Sequence, residues 1–304
     1  DKLSYSANPY NLKELKKNNN YVFFKVDLNN KKKIIKILNK YKPVCIFNLA
    51  AETHVDRSID NPKSFITSNF LGVYNLLESI MSFKKKNKNF KLIHVSTDEV
   101  YGDIIQGRSD EKFPYNPSSP YSATKGSADH LIKAYVRTYK IPAIISSCCN
   151  NYGPNQFPEK LIPLFINNII NNKSLPVYGD GNYTRDWLFV EDHALAIDLV
   201  FNKGLNRETY NVGGFNEWKN IDLIKLLCRL MDEKLENEIG TSEKLITFIK
   251  DRPGHDFRYA LDASKINKDL GWRPSVTFEE GLSKTIDWYF NNKEWLNDIT
   301  SGEY

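Results

Sequence analysis

The sequence predicts an α/β protein: a doubly wound parallel sheet followed by a smaller mixed α/β domain. Three features carry that prediction. The first half alternates short apolar runs with helical patterns. Those runs are nearly continuous in apolar residues, as strands buried on both faces are, and do not alternate as half-exposed strands do. After Asn150 the rhythm breaks on Pro154, Pro158, Pro163 and Pro176, and short strands mix with helices.

Element by element, residues 21–26 read as a strand and residues 30–41 carry helical periodicity. Residues 44–49 form a short apolar run behind Pro43, as a buried parallel strand does. A long amphipathic helix is predicted over 63–83, a strand over 90–96, a helix over 118–139 and a strand over 143–147. Further helices are predicted at 159–172, 191–201, 221–231 and 278–290. The expected first domain is 1–150 with part of about 182–214, and the second is 151–181 with 215–304.

The chain of 304 residues, 41% hydrophobic and 26% charged, is long enough to bury one large core or two smaller ones. Its net charge of +5 is small for that length. The runs Lys31-Lys32-Lys33 and Lys84-Lys85-Lys86 read as solvated helix ends and not as a nucleic-acid footprint. No run of 18 apolar residues is present to span a membrane, and Asp1-Lys2-Leu3-Ser4-Tyr5 does not read as a signal peptide. Cys45, Cys148, Cys149 and Cys228 lack metal-ligand or CxxC spacing. Cys45 and Cys148 lie in apolar runs and are expected as buried thiols, which suits a reducing cytoplasm. The histidines form no HExxH pattern, so no catalytic metal is expected, and His130 and His193 read as structural.

Two motifs carry chemistry. In Tyr121-Ser122-Ala123-Thr124-Lys125, the Tyr and Lys are four apart and share a helix face. An ammonium beside a phenol favours the phenolate, which can take a proton from a sugar hydroxyl as hydride leaves the carbon. Alone the pattern is weak; behind a strand ending in Ser96-Thr97 it is the pattern of extended short-chain dehydrogenase/reductases. The second motif, Ser96-Thr97-Asp98-Glu99-Val100-Tyr101-Gly102, lies at a strand's C-terminal end, where open α/β sheets bind ligands. Adjacent side chains on a strand point to opposite faces, so both carboxyls reach one ligand only if the strand ends and the chain turns, as Gly102 allows. A nucleotide-binding α/β unit normally opens with a strand, a glycine-rich turn and a helix; this chain contains no such glycine motif. An acidic residue about 20 positions after those glycines holds the ribose hydroxyls, a place Asp1 suits.

Together with Asn48-Leu49-Ala50-Ala51-Glu52-Thr53-His54-Val55-Asp56-Arg57-Ser58, Asn150-Asn151-Tyr152-Gly153-Pro154, Phe157-Pro158-Glu159-Lys160-Leu161-Ile162-Pro163, Arg185-Asp186-Trp187, Asp251-Arg252-Pro253-Gly254-His255-Asp256 and the ending Ser301-Gly302-Glu303-Tyr304, these motifs resemble the dTDP-glucose 4,6-dehydratases over essentially the whole chain. The resemblance implies a Rossmann-like first domain that binds NAD and a second domain that binds the nucleotide sugar. It also implies that the first strand and glycine loop of the Rossmann unit stand outside this chain. In the implied reaction Tyr121 is the base as C4 of the glucose is oxidised by NAD. Glu99 removes the C5 proton, Asp98 protonates the departing C6 hydroxyl, and the hydride returns to C6. Thr97 hydrogen-bonds the C4 oxygen and Lys125 supports Tyr121.

For NAD, the resemblance implies contacts from Asp1, Lys2, Asp27, Leu28, Leu49, Ala50, Ala51, Asn69, Ser96, Tyr121, Lys125 and Asn150. Asp1 favours NAD over NADP. For dTDP-glucose it implies His54, Thr97, Asn151, Lys160, Leu161, Pro176, Tyr178, Arg185, Asn220, Arg252 and His255, with Arg185 and Arg252 clamping the diphosphate. Cys149 stands where serine is commoner in the family, and the 103–117 loop is short for a lid. The resemblance further implies a homodimer built on the helices at 63–83 and 118–139, and a role in making deoxysugars such as rhamnose. A UDP-glucose 4,6-dehydratase, another nucleotide-sugar epimerase or decarboxylase, and a non-catalytic NAD-binding module are the alternative readings; the acid pair argues against the epimerase.

Overall fold

The computed structural model describes residues 1–301 except Lys86 and Lys88. The end of the basic run at Lys86 and the family-like ending Gly302-Glu303-Tyr304 therefore lie outside the described residues.

Helix α1 (Lys31–Tyr41) starts where Asn30 accepts the Lys33 N–H at 3.1 Å, satisfying one of the donors a helix start leaves open. Strand β1 (Cys45–Asn48) follows, then short helices α2 (Val55–Asp60) and α3 (Pro62–Phe65), and α4 (Gly72–Lys84). Strand β2 (Lys91–Thr97) leads through a long loop to α5 (Pro120–Tyr139) and β3 (Ala143–Cys148). Ser119 and Ser122 form a reciprocal capping box at the start of α5, with Pro120 in the first turn.

Three strands and two helices follow in the order β4 (Asn150–Tyr152), α6 (Leu161–Ile170), β5 (Leu175–Tyr178), β6 (Thr184–Phe189) and α7 (Val190–Lys203). Then come β7 (Thr209–Val212), β8 (Glu217–Lys219), α8 (Asn220–Lys234) and β9 (Ile246–Ile249). Helices α9 (Ser264–Leu270), α10 (Phe278–Asn291) and α11 (Lys293–Ser301) complete the described chain.

The main sheet runs β1-β2-β3-β7, parallel throughout. Leu92, Ala143 and Ile145 pack with α1, α4 and α5 on one face. Ile93 and Ile144 pack with Ala196, Ile197 and Val200 of α7 on the other. In β2 and β3 successive residues thus bury on opposite faces, which is why these strands read as unbroken apolar runs; β1, expected to be buried, is the outer strand among the described residues and leaves Val44, Phe47 and Leu49 exposed. A second core joins α6, α8 and α10 around Tyr152, Phe165, Leu227 and Tyr289. It carries the sheet β4-β6-β8 and the parallel pair β5-β9.

Three expectations need correction. Residues 21–26 form no regular strand; among the described residues no strand lies beside them, and the Val26 N–H reaches only the Asp1 carbonyl at 2.9 Å. The helix expected over 63–83 is interrupted by a π-helical stretch, Ile66–Leu71. Within it the Asn69 side chain turns onto the loop after β1: its Oδ1 accepts the Glu52 N–H at 2.8 Å, and its Nδ2 donates to the Glu52 carbonyl at 3.0 Å. Cys45 and Cys148 are half-buried, at the outer strand and at the cleft end of β3; Cys149 and Cys228 are the buried thiols, and all four are free.

Candidate active site

Strand β2 ends at Thr97, and Asp98–Tyr101 continue as one 3-10 turn, closed at Gly102 with φ +73°. A Cβ there would meet the Asn116 carbonyl oxygen at 2.1 Å, so only glycine fits. The turn satisfies the condition set by the sequence, that the strand stop before both carboxyls. Thr97 Oγ1 accepts the Glu99 N–H at 3.3 Å and donates to Asp98 Oδ1 at 3.2 Å. Asp98 is buried, with Oδ2 lacking a partner among the described residues.

Tyr121 and Lys125 lie buried on the first turns of α5. The Tyr121 N–H donates to Ser58 Oγ at 3.2 Å, and its ring meets the edge of Phe65. Lys125 Nζ donates to the Val95 carbonyl at 2.6 Å. The electrostatics correct one expectation: burial first, then Glu99, hold the Tyr121 phenol well above its ordinary range, with no lowering contribution from Lys125 among its principal neighbours. Burial, then Glu99, also raises Asp98 well above the carboxylate range. Burial raises Glu99 too, opposed by Arg252, Arg185 and Lys160. Of the pair, Asp98 is raised the further, the direction that an acid which must give up a proton requires.

Glu99 forms part of the wall of a cleft of about 530 Å³ between the main sheet and the second core. His54, Asn150, Asn151, Lys160, Leu161, Pro176, Tyr178, Arg185, Asn220, Arg252 and His255 line it, so every residue expected at the substrate except Thr97 comes together there. Seven of its lining residues, including Glu99, Asn151, Asn220 and Arg252, carry a buried polar atom without a partner among the described residues. Buried polar groups are normally paired, so this wall is shaped for a polar ligand.

The two arginines differ. Arg252 gives one nitrogen to Asp56 Oδ1 at 3.2 Å and leaves Nε unpaired. Arg185 is already committed: it donates to the carbonyls of Thr184, Asp256 and Phe257 and lies 4.1 Å from the centre of the Tyr259 ring. Its positive charge still lowers both carboxyls of the acid pair. Of the two, Arg252 therefore keeps the more donor capacity free for a ligand. His255 bonds Asp251 through Nδ1 at 2.7 Å and stacks on Tyr183; burial lowers its pKa to about 4. Lys160 Nζ donates to the Thr53 carbonyl at 2.8 Å.

A smaller pocket of about 100 Å³ is lined by Asp1, Lys2, Asp27, Leu28, Ala50 and Ala51. A carboxylate, an apolar wall and two alanines that permit close approach fit the adenosine end of a dinucleotide. Leu49 instead exposes its side chain. Asn69 holds the Glu52 backbone and Thr124 Oγ1, and Ser96 donates to Asp129 at 2.6 Å; both support the site from behind. The 103–117 loop is tied down by Arg108 on Glu217 and by the Ser109 N–H on the Ala260 carbonyl, and it does not line the cleft. His193 is buried with its pKa lowered to about 4, and His130 packs on Tyr115.

The sequence reading missed Gln156, Asp56, Glu159 and Tyr259, all cleft-lining. Gln156 and Glu159 stand inside or beside quoted motifs, the one signal available for them. Among the described residues no group of three His, Cys, Asp or Glu is placed to hold a metal, and no helix is long and apolar enough to cross a membrane.

A parallel Rossmann-like sheet, with a buried Tyr–Lys helix beside a Thr-Asp-Glu strand end facing a polar cleft, defines an extended short-chain dehydrogenase/reductase. The model of the GDP-mannose 4,6 dehydratase family matches residues 1–285, and the chain belongs to that family. It is 48% identical over 316 residues to the dTDP-glucose 4,6-dehydratase of Neisseria meningitidis serogroup B, covering 100% of this chain and 88% of the relative. It is 49% identical over 322 residues to an Escherichia coli dTDP-glucose 4,6-dehydratase, covering 100% and 89%. The structure of DesIV, a dTDP-glucose 4,6-dehydratase from Streptomyces venezuelae with NAD and TYD bound, superposes with a TM-score of 0.91 at 38% identity, covering 98% of this chain and 88% of that one.

Proposed function

We propose that this protein dehydrates dTDP-glucose to dTDP-4-keto-6-deoxyglucose, with NAD as a cofactor restored at the end of each turnover. The observation that carries the proposal is the acid pair: a buried Asp98 bonded by Thr97, beside a Glu99 that faces the cleft, with Tyr121 and Lys125 buried at the start of α5. Epimerisation at C4 calls for a single acid–base group; elimination of water across C5 and C6 needs a base and an acid besides.

NAD, held at its adenosine end by Asp1, Lys2, Asp27, Leu28, Ala50 and Ala51, accepts the hydride from the sugar and gives it back. Tyr121 takes the proton from the C4 hydroxyl as a phenolate, which the positive charge that NAD brings when bound would favour against the burial that raises the phenol here, and Thr97 steadies that oxygen. The C4 carbonyl acidifies the C5 proton, which Glu99 removes and later returns. Asp98 delivers its proton to the C6 hydroxyl as it leaves. Arg252, with its free Nε, and the positive charge of Arg185 hold the diphosphate; Leu161, Pro176 and Tyr178 pack around the base. Residues 1–150 with part of about 182–214 make up the NAD-binding domain, and 151–181 with 215–304 the sugar-nucleotide domain.

Exposed Ile66, Leu71 and Tyr74, with Tyr139 of α5, support pairing of two copies through this helical face. Free thiols suit the cytoplasm, and the keto-deoxy product suits deoxysugar synthesis, rhamnose among the products. Mass spectrometry of dTDP-glucose incubated with the protein and NAD tests the activity. Loss of one water without net reduction of NAD supports it; an unchanged mass refutes it for this substrate, and loss of water only from UDP-glucose moves the assignment to that nucleotide.

A further inference from the structure

Behind the strand end that carries the acid pair lies a carboxyl with no part in the reaction as written. Asp129 is wholly buried on α5, one helical turn beyond Lys125, so the two side chains share a helix face. Its Oδ2 accepts the hydroxyl of Ser96 at 2.6 Å and that of Tyr115 at 3.1 Å. Lys133 donates to the Tyr115 oxygen at 3.2 Å, which leaves that hydroxyl's proton for Asp129. Asp129 Oδ1 lies 3.5 Å from His94 Nε2. The Asn48 amide nitrogen meets His94 Nδ1 at 2.9 Å and has only protons to give, so the ring's own proton sits on Nε2, facing the carboxyl. All three neighbours therefore present donors. A carboxylate accepts from all of them, whereas an amide in its place would set its own N–H groups against one.

Two of these contacts tie adjacent residues of β2 to α5. Lys125 Nζ donates to the Val95 carbonyl at 2.6 Å, and Asp129 takes the hydroxyl of the next residue, Ser96. The chain then runs through Thr97, last in the strand, straight into the turn of Asp98 and Glu99. Tyr121 stands one turn ahead of Lys125 on the same helix. The base for C4 thus belongs to α5, while the groups that act at C5 and C6 belong to the end of β2, and both sets must meet one sugar. We propose that Asp129 is a positioning residue: through Ser96 it locks the end of β2 to α5 and sets the acid pair in register with Tyr121. This argument rests on the dehydratase reading. Asp129 lines neither the cleft nor the small pocket, so it acts through Ser96 and not on a ligand. Its charge also helps its helix neighbour: burial lowers the Lys125 pKa, and Asp129 opposes that.

A double-mutant cycle on the NAD-loaded protein, read in the dehydration of dTDP-glucose, tests the tie. Ser96→Ala breaks it from the strand side; Asp129→Asn breaks it from the helix side. Each should lower kcat by about 10–100-fold, within the cost of a displacement of about 1 Å, and leave the KM for dTDP-glucose and the affinity for NAD within about twofold of wild type. The double variant should be no slower than the worse single one, because both remove the same contact. Tyr115→Phe takes a hydrogen bond from the same Asp129 oxygen without freeing β2. It should lower the melting temperature and keep kcat within about threefold of wild type. The proposal is overturned if the losses of the two single variants multiply in the double, if KM rises or NAD affinity falls while kcat holds, or if Tyr115→Phe slows the reaction as much as Ser96→Ala. Should circular dichroism show that Asp129→Asn does not fold, Ser96→Ala against Tyr115→Phe decides alone, on the same kcat, KM and NAD readings. Failure of wild type to release water from the sugar would instead overturn the dehydratase reading itself.

Discussion

Tyr5 and Glu159 join the two halves of the site: the Tyr5 hydroxyl donates to both carboxylate oxygens, at 2.8 and 3.1 Å, across a separation of 154 residues. Tyr5 is next in the chain to Ser4, which lines the small pocket, and Glu159 lines the cleft beside Lys160. The Arg57 guanidinium lies 3.7 Å from the centre of the Tyr5 ring and 3.4 Å from Glu159. Tyr5→Phe keeps that stacking and removes only the hydroxyl. The expected cost is about 1.5–3 kcal/mol, the range for a hydrogen bond to a charged group. The KM for the sugar nucleotide should rise several-fold with little change in kcat. Denaturant unfolding and steady-state kinetics check both; an unchanged KM would show that the contact does not shape the cleft.

Asp98→Asn and Glu99→Gln should each lower kcat by roughly 10²–10⁴-fold, the usual worth of a positioned acid or base. They should differ in one observable. With Glu99→Gln, deuterium from solvent no longer enters C5; with Asp98→Asn, C5 exchange continues while water is retained. Mass spectrometry in deuterated buffer separates the two. Equal C5 exchange in both variants would remove Glu99 from the role of base.

The raised Asp98 pKa has a stability consequence of definite sign. The folded protein binds this proton more tightly than the unfolded chain, whose Asp titrates near about 4. Stability is therefore fully present below that value and is lost as pH rises towards the folded pKa. Asp98→Asn should consequently be more thermostable than wild type near about pH 8, by about 2–4 °C for each kcal/mol recovered. The difference should shrink on acidification to about pH 4. A calorimetric series over pH reads it directly; a difference independent of pH would mean that Asp98 titrates normally.

Arg252 and Arg185 should fail in different ways. Arg252→Ala should raise the KM for dTDP-glucose by about 10–100-fold, a loss of 1.4–2.8 kcal/mol at the tenfold-per-1.4 conversion, and leave thermal stability nearly unchanged. Arg185→Lys keeps the charge but not the fork that serves three carbonyls, so it should lower stability by about 1–3 kcal/mol through unmet carbonyl acceptors. Melting temperatures measured beside KM values separate the cases.

Most of the main sheet was legible because its evidence is local. The apolar runs at 44–49, 90–96 and 143–147 became β1, β2 and β3 within one or two residues. The run at 21–26 had the right composition, but among the described residues no strand lies beside it and Asp1 alone bonds the backbone of Phe24 and Val26; strand pairing is a property of two segments. The interruption at Ile66–Leu71 was illegible because the periodicity continues through it; what breaks the pattern is Asn69 turning to Glu52 and Thr124.

By itself the sequence determined the βα rhythm, the turn at Gly102 that brings the acid pair to a strand end, and the Tyr121–Lys125 spacing on α5. These depend on residues close in the chain, whose periodicity and stereochemistry are written there. Only the tertiary structure decided that Asp98 is buried and its carboxyl raised, and that Arg185 is occupied by backbone carbonyls while Arg252 is not. Those outcomes depend on desolvation and on contacts between distant segments, and both come into being only when the sheet, α5 and the second core close around the cleft.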